Sequence, residues 1–155
     1  MNIFAVDNDP VLAAQALHDR HVVKMCLETA QILCTVAHGL GIPAPYKPTH
    51  KNHPCTLWAG NGENNAYWLW RHGMALCDEY TYRFGKVHAC EQVIRDLQIV
   101  SYTLPRASLT PFAQVMPDEY RSDDAVDAYR RMYRATKVQG NRWTKREPPA
   151  WLEVP

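Results

Sequence analysis

Along residues 9–39, DPVLAAQALHDRHVVKMCLETAQILCTVAHG, apolar side chains recur at helical spacing. Asp9 can accept bonds from free amides at a helix start, Pro10 suits the first helical position, and Gly39 suits the residue that closes a helix. The pattern predicts one long helix over this stretch, bent near Asp19 if anywhere. From Val22 to Ala37 most side chains are apolar or small, and the exceptions stay in register. His21, Lys24, Glu28, Gln31 and Thr35 are spaced three, four, three and four apart, which keeps them within an arc of roughly 80°. Such a stripe is either the solvated side of an amphipathic helix or, because apolar surface wraps so much of this one, the wall of a cleft. The cleft is the expectation.

Before the long helix, Met1–Val6 is a short apolar run that suits a small strand or an extended arm. After it, GIPAPYKPTHKNHPC carries four prolines and reads as an ordered loop, because proline removes amide donors and fixes φ. Residues 61–84 predict a second helix, with Gly85 as its terminator and Trp68, Trp70, Met74, Leu76 and Cys77 as core bulk. Residues 86–100 predict a third. Thr110-Pro111 reads as the start of a short helical turn, and Ser122 or Asp123 as the cap of a last helix through residues 125–138. The expected class is mainly α: a single-domain helical bundle over residues 1–155, with long Pro-rich loops and an optional short N-terminal strand.

Composition narrows this little. The 155 residues suffice for a full core, and the formal charge of +1 argues against a nonspecific nucleic-acid coat while allowing a local basic patch. Five cysteines without a CxxC pair indicate buried free thiols in a reducing, cytoplasmic compartment rather than a disulfide framework or zinc ribbon. His50 and His53 have no acidic neighbour, so no metal is assigned, and nothing calls for another cofactor. No apolar run suits a membrane span, and oligomeric state is not legible.

Three groups of residues carry candidate chemistry. Lys24, Glu28 and His21 on the long helix form a cation, a carboxylate and a titratable ring: a lysine desolvated among apolar side chains would have its neutral, nucleophilic form favoured, with Glu28 or His21 moving protons. A lysine kept charged by Glu28 would instead bind phosphate or steady an oxyanion. Gln31, Lys47, His50, His53, Arg71, Glu79 and Arg83 are candidates for substrate binding, Glu79 and Arg83 being four apart and able to pair on one helix face. Arg130 and Arg134, in a basic segment with Tyr129, Tyr133 and Trp143, are candidates for nucleic-acid binding, although an ordinary charged helix face explains the arginines alone.

The stretches HVVKMCLETAQ, YKPTHKNHPC, EYTYRFGKVH and LTPFAQVMPDEY together resemble a family of small bacteriophage-encoded proteins over nearly the whole chain. A looser resemblance is to the pyrimidine-dimer DNA glycosylases of the endonuclease V type. It rests on the short apolar N-terminus, the long first helix, an aromatic-Lys loop with His53-Pro54, and a helix ending near Glu79, Tyr80, Tyr82, Arg83 and Gly85. That resemblance implies an N-terminal amine that attacks a sugar carbon to form an imine, assisted by a first-helix glutamate. The best overlay of the helices puts Lys24 near the glutamate position and Glu28 one turn later, and Asn2 is expected to discourage removal of Met1.

The expected function is therefore that of a phage enzyme acting on DNA or a nucleotide, a glycosylase or lyase that flips a damaged or modified base into the cleft. The alternatives are an enzyme of DNA base or nucleotide modification, and a non-catalytic protein that binds a nucleotide or blocks a host defence. If phage-encoded, it would work in the host cytoplasm.

Overall fold

A computed structural model of the protein describes residues 1–153. Helices α1 (Pro10–Ala16), α2 (Asp19–Gly39), α3 (Pro54–Ala59), α4 (Glu63–Phe84), α5 (Glu91–Asp96), α6 (Ile99–Thr103) and α7 (Ala125–Thr136) follow in order, with single tight helical turns at Asp118–Tyr120 and Ala150–Leu152. α4 packs along α1 and α2, and the shorter helices close over them. The mainly α class with Pro-rich loops holds. The optional N-terminal strand does not: no strand occurs among the described residues.

Met1–Val6 is instead an extended arm sunk into the core, with Ile3, Phe4, Ala5 and Val6 all buried. The amides of Asn2, Ile3, Phe4 and Val6 find partners without a ladder. The Asn2 side chain accepts from the amides of Ile3 at 2.7 Å and Phe4 at 3.1 Å, and donates to the Val115 carbonyl at 3.0 Å. Phe4 takes a positive φ of 42°, a conformation that a bulky residue adopts only where packing over-determines it. Here that packing is the stack of its ring on His21, with centroids 4.2 Å apart.

The predicted long helix is broken in two, one residue before the expected bend. Asp9 caps α1 through the amides of Val11 and Leu12 as its sequence indicates, but Leu17 and His18 are extended. The break persists because tertiary partners take its loose ends. The Tyr133 hydroxyl accepts from the His18 amide at 3.1 Å, and the Arg83 guanidinium donates to the carbonyls of Leu17 at 2.8 Å and Gln15 at 3.0 Å. His18 then caps α2 by accepting from the His21 amide.

Other elements differ locally. The second predicted helix begins two residues later, at Glu63, after the separate α3 capped by His53. It ends at Gly85, which takes the left-handed conformation expected of a terminator, with φ 71°. Residues 86–100 contain α5 and the start of α6 rather than one helix. Thr110-Pro111 starts no helical turn; the Thr110 amide and hydroxyl are both bonded to the Asn65 side chain. Asp124, not Ser122 or Asp123, caps α7 through the amides of Val126 and Asp127. All five cysteines are buried and free, and no helix among the described residues is long and apolar enough to cross a membrane.

Candidate active site at the N-terminal arm

The extended arm runs beside α2 so that the chain's first backbone nitrogens meet a carboxylate. Glu28 Oε2 accepts from the Asn2 amide at 3.1 Å, and Glu28 Oε1 lies 3.9 Å from the Met1 amine. The same Oε1 is 3.7 Å from Lys24 Nζ. Glu28 is largely buried, its side chain 11% exposed, whereas that of Lys24 is 65% exposed. Burial of a carboxylate demands partners, and this one has two nitrogens from the arm and one from its own helix.

Lys24 is therefore not the desolvated amine that the apolar surroundings in sequence suggested. Its helical position carries it to the outer side of the stripe, beside exposed Val23 and Leu27, where solvent supports its charge. The second amine near Glu28 is the Met1 nitrogen, whose residue is only 4% exposed at the side chain.

His21 stands on the buried edge of the stripe. The Tyr133 hydroxyl, which accepts from the His18 amide, is also hydrogen-bonded to His21 Nδ1 at 3.0 Å and so fixes the orientation of the ring. Burial, reinforced by His18, Lys137 and Lys24, pushes His21 down to about 3, and burial with the nearby Arg20 pushes His18 down to about 4. The two rings stack at 4.0 Å between Phe4 and Trp143. His21 is thus a neutral, oriented ring at neutral pH rather than a general acid in its imidazolium form.

The Pro-rich loop brings His53 to the same region. Burial lowers its pKa, the terminal ammonium and His50 lower it further, and Glu28 opposes them. His53 Nδ1 accepts from the Cys55 amide at 3.1 Å, so its proton sits on Nε2 when neutral. His50 is exposed and bonded to Thr49 Oγ1 at 2.7 Å. Thr35, farther along the stripe, accepts from the Thr49 amide at 3.0 Å and so pins the loop to α2. Gln31 is half-buried on the stripe between Glu28 and Thr35, and Lys47 is exposed.

The structure separates the remaining candidates from this cluster. Arg83 and Glu79 are 0% and 3% exposed, and they sit at the start of α2, roughly 13 Å along the helix axis from Glu28. Arg83 binds Glu79, Asp19 and the carbonyls of Leu17 and Gln15, and Arg146 makes two bonds to Glu79, at 2.8 and 3.0 Å. Their guanidinium and carboxylate groups are consumed in holding the α1–α2 break. Arg71 is half-buried on α4, a helix whose neighbouring His72 turns inward. Arg130 donates to the Val6 carbonyl and pairs with Asp7 at 3.1 Å, with Trp151 over its guanidinium, while Arg134 donates to the Trp151 carbonyl. Both arginines fasten the arm and the C-terminal segment.

Sequence reasoning missed the Tyr133 hydroxyl and the Asp19–Thr144 bonds of 2.6 and 2.8 Å. Neither carries a local signal, because the partners lie more than a hundred residues apart.

A small helical protein that holds a backbone amine against a buried carboxylate, with oriented histidines beside them, has the groups needed for covalent chemistry at an electrophilic carbon. The chain belongs to the pyrimidine dimer DNA glycosylase family, whose model matches residues 1–92. That match takes in the arm, α2, the Pro-rich loop and α4. No curated protein and no solved structure gives a significant match.

Proposed function

We propose that the protein is a DNA glycosylase/lyase in which the Met1 amine is the nucleophile and Glu28 the proton-transfer group. The observation that carries this reading is the approach of Met1 N to within 3.9 Å of Glu28 Oε1, on a carboxylate already held by Asn2. An ammonium must lose a proton before it can attack, and Glu28 is the adjacent acceptor. Attack of the freed amine on the sugar C1′ forms the C–N bond as the bond to the damaged base breaks, the base leaving with the electron pair and taking up the proton that the newly bonded nitrogen gives up. Opening of the sugar ring then gives an imine, with the ring oxygen taking the proton that Glu28 holds. Glu28 can serve both transfers because the arm fixes it against the nitrogen.

The neighbouring groups take supporting roles. Lys24, charged and exposed one turn away, holds a phosphate of the attacked strand. His53 presents an Nε2–H donor to the sugar or the departing base, the His21 ring stands beside it, and Gln31 lies on the same face. His50 and Lys47, on the exposed loop, reach toward the flanking backbone.

The test is borohydride trapping on duplex DNA that carries either an abasic site or a pyrimidine dimer, with the cross-linked peptide mapped by mass spectrometry. The expected result is a covalent complex through the residue-1 amine, retained in Lys24→Met and lost in Glu28→Gln on the dimer substrate. A cross-link at Lys24 would transfer the nucleophile to that lysine, and no trapping at either residue would remove the imine mechanism.

A further inference from the structure

The segment after α7 doubles back along the first turn of α2 and is stapled there. The Asp19 amide donates to the Arg142 carbonyl at 2.9 Å, and the Thr144 amide and hydroxyl bond the two Asp19 oxygens. Trp143 Nε1 donates to the Ala16 carbonyl at 2.8 Å, and Arg146 binds Glu79 while lying over the Tyr82 ring at 4.6 Å. Between this segment and α2 lies an open cleft of about 390 Å³ lined by Asp19, Arg20, Val23, Phe84, Gly140 and Arg142, among others.

Its charges are unbalanced. Asp19, the acid in its wall, is occupied by Thr144 and Arg83. Arg20 and Arg142 are exposed and have no ion-pair or side-chain hydrogen-bond partner among the described residues. Arg20 also occupies the first turn of a helix, where the macrodipole disfavours a cation. Burial, then Arg20, Lys137 and Arg83, hold His18 down against an opposing pull from Asp19.

Arg20 is one turn before Lys24 and two before Glu28, a rise of about 6 Å per step. The cations thus continue the line of the candidate site along the exposed face of α2, and Arg142 and Lys137 extend it onto the C-terminal segment. We infer that Arg20 and Arg142, across this cleft, form a binding site for the phosphodiester backbone of the DNA strand, one that the C-terminal segment completes. This rests on the glycosylase reading and adds to it a contact from outside the matched residues 1–92.

Counterion release supplies the measurement, because each neutralised phosphate contributes about −0.9 to the slope of log K against log salt. Binding of an oligonucleotide duplex is followed by fluorescence anisotropy across a salt series for wild type, Arg20→Ala, Arg142→Ala, the double variant and Arg121→Ala, whose arginine is exposed and paired with Asp118 at 3.5 Å. The slope is expected to flatten by about 1 in each single variant and about 2 in the double, with Arg121→Ala unchanged. Equal flattening in Arg121→Ala would mean a diffuse charge effect and overturn the site. An unchanged slope in the double variant, with Glu28-dependent trapping intact, would overturn the site and leave the proposed activity standing. A wild type that neither binds DNA nor traps would remove both.

Discussion

Replacement of Arg83 by methionine separates a structural arginine from a substrate-binding one. Methionine keeps much of the aliphatic bulk and removes the guanidinium, which donates to Glu79 at 2.9 Å, Asp19 at 3.1 Å, Leu17 at 2.8 Å and Gln15 at 3.0 Å. Breaking a buried ion pair by deleting one partner costs about 3–5 kcal/mol, mostly because the remaining charge is left buried. Arg146 still binds Glu79 and Thr144 still binds Asp19, so the lower end applies. To it is added the desolvation of two carbonyls at the α1–α2 break, about 1 kcal/mol or more each. The total is about 5 kcal/mol, a large fraction of the stability of an ordinary domain. Urea unfolding followed by circular dichroism should show this as a lower midpoint at unchanged slope. Lysine at the same position should recover only a minor part, since one ammonium cannot span four acceptors in the plane of the guanidinium. A loss below about 1 kcal/mol, accompanied by weakened DNA binding, would refute the structural assignment and return Arg83 to the ligand.

Other perturbations test different parts of the fold. His72 is fully buried and donates through Nδ1 to the Pro10 carbonyl at 2.9 Å, and burial pushes it down to about 4. The unfolded chain binds protons below about pH 6.5 while the folded chain does not. Stability from this group is therefore complete above about pH 6.5 and lost as pH falls toward 4, by about 2 kcal/mol at pH 5. His72→Asn, which keeps a donor for Pro10, should flatten that pH dependence by up to about 1.4 kcal/mol per pH unit; urea midpoints that fall as steeply in the variant would exclude His72 as a source. A Cβ on Gly73 would lie 2.6 Å from Thr29 Cγ2 and 3.1 Å from Ile94 Cγ2. Gly73→Ala should thus destabilise by about 1–2 kcal/mol, overpacking outweighing about 1 kcal/mol of helix propensity. Thr29→Ser, which deletes the clashing methyl, should reverse part of the loss, and a more stable Gly73→Ala would show the helices free to part. Thr56 Oγ1 is buried without a partner among the described residues, so Thr56→Val should be neutral or stabilising by up to about 1 kcal/mol in thermal unfolding. Clear destabilisation would reveal a bond that the hydroxyl makes.

The helix periodicity, the Asp9-Pro10 start, the Gly85 stop and the in-register polar stripe of α2 were legible because each depends on neighbours within about two turns. The stripe also located Glu28 and His21 on one face. What it did not reveal is which edge of that face the rest of the chain covers. The arm covers the Glu28 edge and leaves Lys24 in solvent, its side chain 65% exposed against 11% for Glu28. Likewise the Glu79–Arg83 pair was legible as an i,i+4 contact, but its burial was not. The groups that bury it, Asp19, Leu17 and Arg146, come from distant segments. The break at Leu17-His18 has the same origin: helix propensity runs through it, and the tertiary bonds of Arg83 and Tyr133 interrupt it.

The N-terminal arm has a consequence for the order of events on the ribosome. Asn2 is anchored by Val115, Val6 by Arg130, and the Phe4–His21 stack by Tyr133. The arm's seats on Val115, Arg130 and Tyr133 are therefore complete only once α7 has left the exit tunnel. α1, α2 and α4 can pair earlier, but the arm is held by bonds that span 113 residues to Val115 and 124 to Arg130. The arm beside Glu28 is thus fixed late, with the closing of the chain upon its own beginning.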